Sequence, residues 1–147
     1  MPWADALYGH DLKWWKHYDS RIRETFKGDC VTGGCKWHGA ELHPVPLYQN
    51  GGCGAISLAV HRGARRVILL AYDAQKTGGQ VHHHGNHPKG LGNAGSMSTW
   101  PKLFRKLANN LGKRAEIVNA SRETILDMFP RIDLETALAD RDHAGTE

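Results

Sequence analysis

The stretch "CGAISLAVHRGARRVILLAYD", residues 53–73, decides the fold class. Its first half, 53–64, carries small and apolar residues at Ala55, Ile56, Ala59 and Val60. These share one face of a helix able to lie close on a sheet, with Gly63 placed to end it. The second half, 65–73, is an apolar run without alternation that stops at a polar turn. A strand of that kind is buried on both faces, which predicts a parallel sheet with helices packed against it.

The flanks repeat the pattern. Upstream, "ADALYGHD" (4–11) reads as a short strand ending in a polar loop, and "LKWWKHYDSRIRETF" (12–26) as a helix with Leu12, Trp15, Ile22 and Phe26 on one face. Residues 27–52 are rich in Gly, Pro and His and predict irregular structure with one or two short strands. Downstream, "STWPKLFRKLANNLG" (98–112) places Trp100, Leu103, Phe104, Leu107 and Leu111 at helical spacing. Ser98 or Thr99 is positioned to cap that helix, Pro101 suits its first turn and Gly112 its end. "AEIVNAS" (115–121) predicts another strand and "LETALAD" (134–140) a last short helix. Helix and strand alternate, so the expectation is one α/β domain over 1–140 with a frayed tail at 141–147.

Composition narrows the function classes. The chain has 147 residues, 40% hydrophobic and 23% charged, which is the balance of a single globular domain. It has no run of about eighteen apolar residues to span a membrane. The first residues lack a basic segment followed by an apolar one, so no secretory signal is read and a cytoplasmic location is expected. The net charge of +4 suits an anionic small molecule, but no basic run or aromatic-interleaved stripe indicates dedicated nucleic-acid binding.

In α/β sheets ligands sit beyond the carboxyl ends of the strands. Asp73 and Asn119 end predicted strands, and the loop after Asp73 contains "VHHHGNHPKG" (81–90), with four of the ten histidines. Three chemistries use such a stretch. His82, His84 and His87, with Asp73, offer imidazoles and a carboxylate to a metal, although a Gly/His loop fixes no geometry. A His-Asn-His nuclease needs a further histidine soon after its Asn, and the first one after Asn93 is His143. The third is a general base. A second metal reading, Cys30, Cys35, His38 and His43, lacks the paired CxxC spacing, and Gly33–Gly34 read as a hairpin turn carrying two partly buried thiols. No metal and no cofactor is therefore expected. "NGGCGAISLAV" sets Asn50, Gly51, Gly52 and Gly54 at a helix start, where backbone N–H groups favour an anion, though it matches neither named nucleotide motif. The competing explanation is a Gly-rich turn that lets the helix pack closely.

Taken in order, "NGGCGAISLAVHRGARRVILLAYDAQKTGGQVHHHGNHPKGLGN", "FRKLANNL", "EIVNAS" and "FPRIDLETAL" resemble a family of small bacteriophage and prophage α/β proteins. The family pattern runs "LA...GA..I.LLGYD", "HWHGDHP.GL.N" and "VVNA", and the opening here is similar to its "WADVLYACDWKWW". More distantly it resembles bacterial sialyltransferases and the group around 6-hydroxymethylpterin pyrophosphokinase. The resemblance implies a Rossmann-like three-layer fold with a mainly parallel sheet and a nucleotide or anionic ligand at Asn50, Gly51, Gly52 and Gly54, beside Asn86 and Asn119. It implies glycosyl or related group transfer with a general base among His82, His83, His84 and His87, near Asp73. The departures are Cys53 for an Asn-Ser pair, Ala71 for Gly and Asn86 for Asp. The relatives also open with a further strand and a "G.GPS" loop, so a sheet truncated at its N-terminal edge, and through that edge a homodimer, are expected. The alternative is a non-catalytic phage accessory or host-interaction protein on the same scaffold, acting in the host cytoplasm.

Overall fold

The computed structural model describes residues 3–37, 39–43, 48–80, 85–93 and 95–139. In chain order these form β1 (Ala6–Gly9), α1 (Leu12–Thr25), β2 (Asp29–Thr32), β3 (Glu41–Leu42) and α2 (Gly51–His61), followed by β4 (Arg66–Leu69), α3 (Trp100–Leu111), β5 (Glu116–Asn119) and α4 (Leu134–Ala139). A 3₁₀ turn, Met97–Thr99, leads into α3. Each strand pair is parallel: β1 with β2, β2 with β3, and β4 with β5. The chain is thus a mixed α/β protein with short parallel sheets.

Helix α1 begins where the Asp11 carboxylate accepts the backbone N–H of Lys13 at 2.8 Å. Trp15 and Ile22, two turns apart, are its buried residues. Trp15 stacks on Trp37 at a centroid distance of 4.5 Å, and Leu7 and Phe26 pack around them. A Cβ at Gly9 would lie 3.0 Å from the Trp15 indole nitrogen, whereas Tyr8 meets Gly54 of α2. Adjacent strand residues point to opposite faces. So α1 covers the Leu7–Gly9 face of β1 and α2 covers the Tyr8 face.

The larger core joins α2, α3, β4 and β5 through Ile56, Leu69, Phe104, Leu107, Leu111 and Ile117, closed by Leu126 and Phe129. Ile117, Val118 and Asn119 are buried in succession, so β5 is covered on both faces. The stretch 65–73 departs from that expectation. Only Arg66–Leu69 is strand, Leu70 is 53% exposed, and Ala71 turns the chain at φ 59°. Among the described residues β4 has a ladder partner in β5 alone, which leaves this stretch less enclosed than a central strand.

Two further details differ from the sequence reading. Neither Ser98 nor Thr99 caps α3 with its side chain; the Thr99 hydroxyl donates instead to the Ser96 carbonyl at 2.7 Å within the 3₁₀ turn. The segment after β2 is no hairpin, since β3 runs parallel to β2 with Val31 opposite Glu41. Trp37 draws this connection across α1 by stacking on Trp15, so the chain re-enters the sheet in the same direction.

Candidate functional site

Two of the strands, β1 and β4, end near the amino end of α2. Asn50 caps that helix, its Oδ1 accepting the Cys53 N–H at 3.0 Å, and its carbonyl accepts the Gly54 N–H at 3.1 Å. The first-turn amides of Gly51 and Gly52 have no acceptor within the helix. They border two adjoining grooves. One, of about 300 Å³, is lined by Gly9, His10 and Asp11 after β1, by Gly51, and by His87 and Leu91. The other, of about 430 Å³, is lined by Asn50, Gly51, Gly52, Tyr72, His87 and Trp100. Gly51 and His87 belong to both, so His87 lies beside the helix start. His87 is held there partly by its backbone N–H, which donates to Asn93 Oδ1 at 2.7 Å.

The glycines divide by what surrounds them. A Cβ at Gly54 would sit 2.2 Å from the Tyr8 hydroxyl oxygen, and one at Gly52 would sit 2.9 Å from the Tyr72 ring. Both positions are needed for close helix packing. At Gly51 the nearest group is the His10 ring at 3.8 Å, so this glycine alone looks onto open groove.

Asp73 and Asn119 lie elsewhere. Asp73 accepts the Thr77 hydroxyl at 2.9 Å and lines a separate groove of about 1090 Å³ with Ser121, Arg122, Glu123 and Arg131. Asn119 is fully buried; its Nδ2 donates to Thr124 Oγ1 at 3.1 Å and its Oδ1 accepts the Ser121 N–H at 3.0 Å. That side chain closes the loop after β5. Asn86 is exposed and lines neither of the grooves at α2. His82, His83 and His84 lie outside the described residues, as does His38.

The structure therefore brings together Asn50, Gly51, Gly52 and His87, and sets Asp73 in a separate groove. It adds His10, which follows a short strand and carries no motif that would single it out. Burial raises the pKa of Tyr72 to about 12, keeping its phenol neutral, and its hydroxyl donates to the Gly52 carbonyl at 3.3 Å. Burial likewise pushes the Cys53 thiol up to about 12, so it is no nucleophile. Among the described residues no three His, Cys, Asp or Glu side chains are grouped to hold a metal. Cys35 contacts the Thr32 hydroxyl, and His43 packs edge-on against His61 rather than facing the cysteines. No helix among the described residues is long and apolar enough to cross a membrane. No family model, curated protein or solved structure matches the chain.

Proposed function

We propose that the chain is a phage-type, Rossmann-like domain that binds a nucleotide or another small anionic molecule at the start of α2. His87 is the described candidate for a general base in group transfer. The observation that carries this reading is the convergence of Gly51, His10 and His87 on one continuous opening beyond the carboxyl end of β1. Backbone amides at a helix start favour an anionic group, and an imidazole beside it suits proton abstraction from an acceptor hydroxyl. The disposition of α1 and α2 on opposite faces of β1 supports the layered architecture.

A cytidine nucleotide is the first ligand to test. A ligand that binds only the folded state stabilises it by RT ln(1 + [L]/Kd), about 2.7 kcal/mol at a hundredfold excess over Kd, which raises Tm by a few degrees. Gly51→Asp removes the shift by setting a carboxylate at the open position, while its surroundings leave room for the side chain. His87→Ala keeps most of the shift, since a base acts in chemistry more than in donor binding. A folded protein whose Tm no nucleotide moves at millimolar concentration supports the non-catalytic accessory reading instead.

A further inference from the structure

Successive residues of a strand point to opposite faces, so Glu41 and His43 share one face of β3 and its continuation, and Leu42 takes the other. The polar face is the one turned toward α2. Arg62, at the end of that helix, pairs with Glu41 at 3.5 Å and with Asp29 of β2 at 2.9 Å. The neighbouring His61 ring meets His43 edge-on at a centroid distance of 4.4 Å. Leu42, the aliphatic residue of the strand, is 51% exposed and anchors little.

The anchor is His43 instead. Among residues 39–43 it is the buried side chain, at 9% exposure. Its Nε2 is shut off from water and meets no hydrogen-bond partner among the described residues. The titratable and charged groups facing it are His61 and Arg62 from α2 and Glu41 from β3 itself. From β2 it meets the Thr32 carbonyl, which accepts its backbone N–H at 2.9 Å, and the Asp29 carboxylate there is already bound to Arg62. A second ring proton therefore has no buried acceptor, and an unpaired buried charge is costly. Little else holds the segment. Two residue pairs join β3 to β2, Val31 with Glu41 and Thr32 with Leu42, and the exposed Arg62–Glu41 pair contributes weakly.

We propose that β3 is a latch released by a proton: a charged His43 leaves its contact with His61, and Glu41–His43 separate from β2 while α2, β1 and β2 stay folded. Opening of a short, exposed strand is a local event that does not require the rest of the fold to unfold. It bares the edge of β2 at Val31 and Thr32. An aliphatic anchor at position 43 holds at every pH, whereas an imidazole holds while it is neutral. Burial, and next the neighbouring His61, keep the ring's pKa below its ordinary 6.5. The closed form thus disfavours the proton, so closure is complete above that ordinary value and weakens as pH falls through it.

Amide hydrogen exchange of the full chain at about pH 7.5 and about pH 5.5 tests this, each rate taken relative to that of an unstructured peptide at the same pH. The His43 N–H is expected to be at least about tenfold less protected at both values than the N–H groups of Asp29 and Gly33, which bind the carbonyls of Asp5 and Gly9. Its protection falls several-fold, at most about tenfold, at the lower pH. His43→Leu abolishes that fall and His61→Gln leaves it in place. The proposal is overturned if His43 is as well protected as Asp29 and Gly33, since β3 then opens only with the whole fold. It is equally overturned if protection is the same at both pH values or if the fall persists in His43→Leu. Should that variant fail to fold, the ring Cε1–H signal of His43 in the natural protein decides. It must titrate in step with the loss of protection, and either change without the other overturns the latch.

Discussion

An ideal Cβ placed on Gly54 lies 2.2 Å from the hydroxyl oxygen of Tyr8 and 2.4 to 2.5 Å from two of its ring carbons. This approach sets how closely α2 rests on β1, and with it the position of the helix start relative to His10. Gly54→Ala is expected to destabilise the fold by about 1–3 kcal/mol through overpacking. Tyr8→Phe in that background does not restore stability, because the ring carbons still collide, whereas Tyr8→Val restores much of it. Urea denaturation of the four proteins decides the matter; a Gly54→Ala variant as stable as the parent contradicts the contact.

Ala71 holds φ 59° at the turn after β4, a left-handed conformation that costs a residue with a Cβ about 1–2 kcal/mol. Glycine adopts it freely but gives the unfolded chain more freedom, an opposing term of about 0.4–1 kcal/mol. Ala71→Gly is therefore expected to raise stability by about 1 kcal/mol or less. A loss of stability on chemical denaturation would show that the methyl group has packing value outweighing the strain.

Asn119 ties three segments together. Besides Thr124 and Ser121, its Nδ2 reaches the Tyr72 carbonyl at 3.4 Å, and the Thr124 hydroxyl donates to the same carbonyl at 2.7 Å. Asn119→Ala leaves the buried Ser121 N–H without its acceptor and is expected to cost about 1–3 kcal/mol. Asn119→Asp keeps an acceptor but cannot donate to Tyr72 or Thr124, so it is no better tolerated. Because the side chain is turned into the loop, ligand affinity at α2 stays unchanged when variants are compared in their folded state. A selective loss of ligand affinity in a variant of unaltered stability would give Asn119 a direct binding role instead.

His43 sits behind β3 with its ring edge-on to His61 at 4.4 Å and its Nε2 buried without a hydrogen-bond partner among the described residues. Burial first, then His61 and Arg62, lower its pKa from 6.5, while Glu41 pulls the other way. A histidine whose folded pKa is depressed contributes nothing adverse above its unfolded value and penalises the fold as pH falls through that value. The protein should then lose Tm between about pH 7 and about pH 5, below the unfolded histidine pKa. His43→Gln flattens that part of the profile. Superimposable pH profiles for the two proteins would remove His43 from the account.

The separation of local from distant causes explains what could be read in advance. Helices α2 and α3 were legible because an amphipathic period and its stop signals lie within one segment. Gly63 and Gly112 indeed hold φ 94° and 55° just past their helices. Strands β1, β4 and β5 were legible as short apolar or mixed runs between those helices, and the parallel pairing followed from the alternation of elements. The cap of α3 and the supposed hairpin were misread, since a 3₁₀ turn and the Trp15–Trp37 stack overrode local turn preference.

What residue order determined by itself was the kind of each element and the approximate place where it stops, because hydrophobic period and turn chemistry act over a few neighbours. Tertiary structure alone decided that Gly54 and Gly52 serve packing while Gly51 faces a groove, since Tyr8 and Tyr72 reach them from other strands. It also decided that His10 and His87 share an opening and that Asp73 does not. Each depends on groups far apart in the chain meeting across a helix, and no pattern within one segment carries the distance between them.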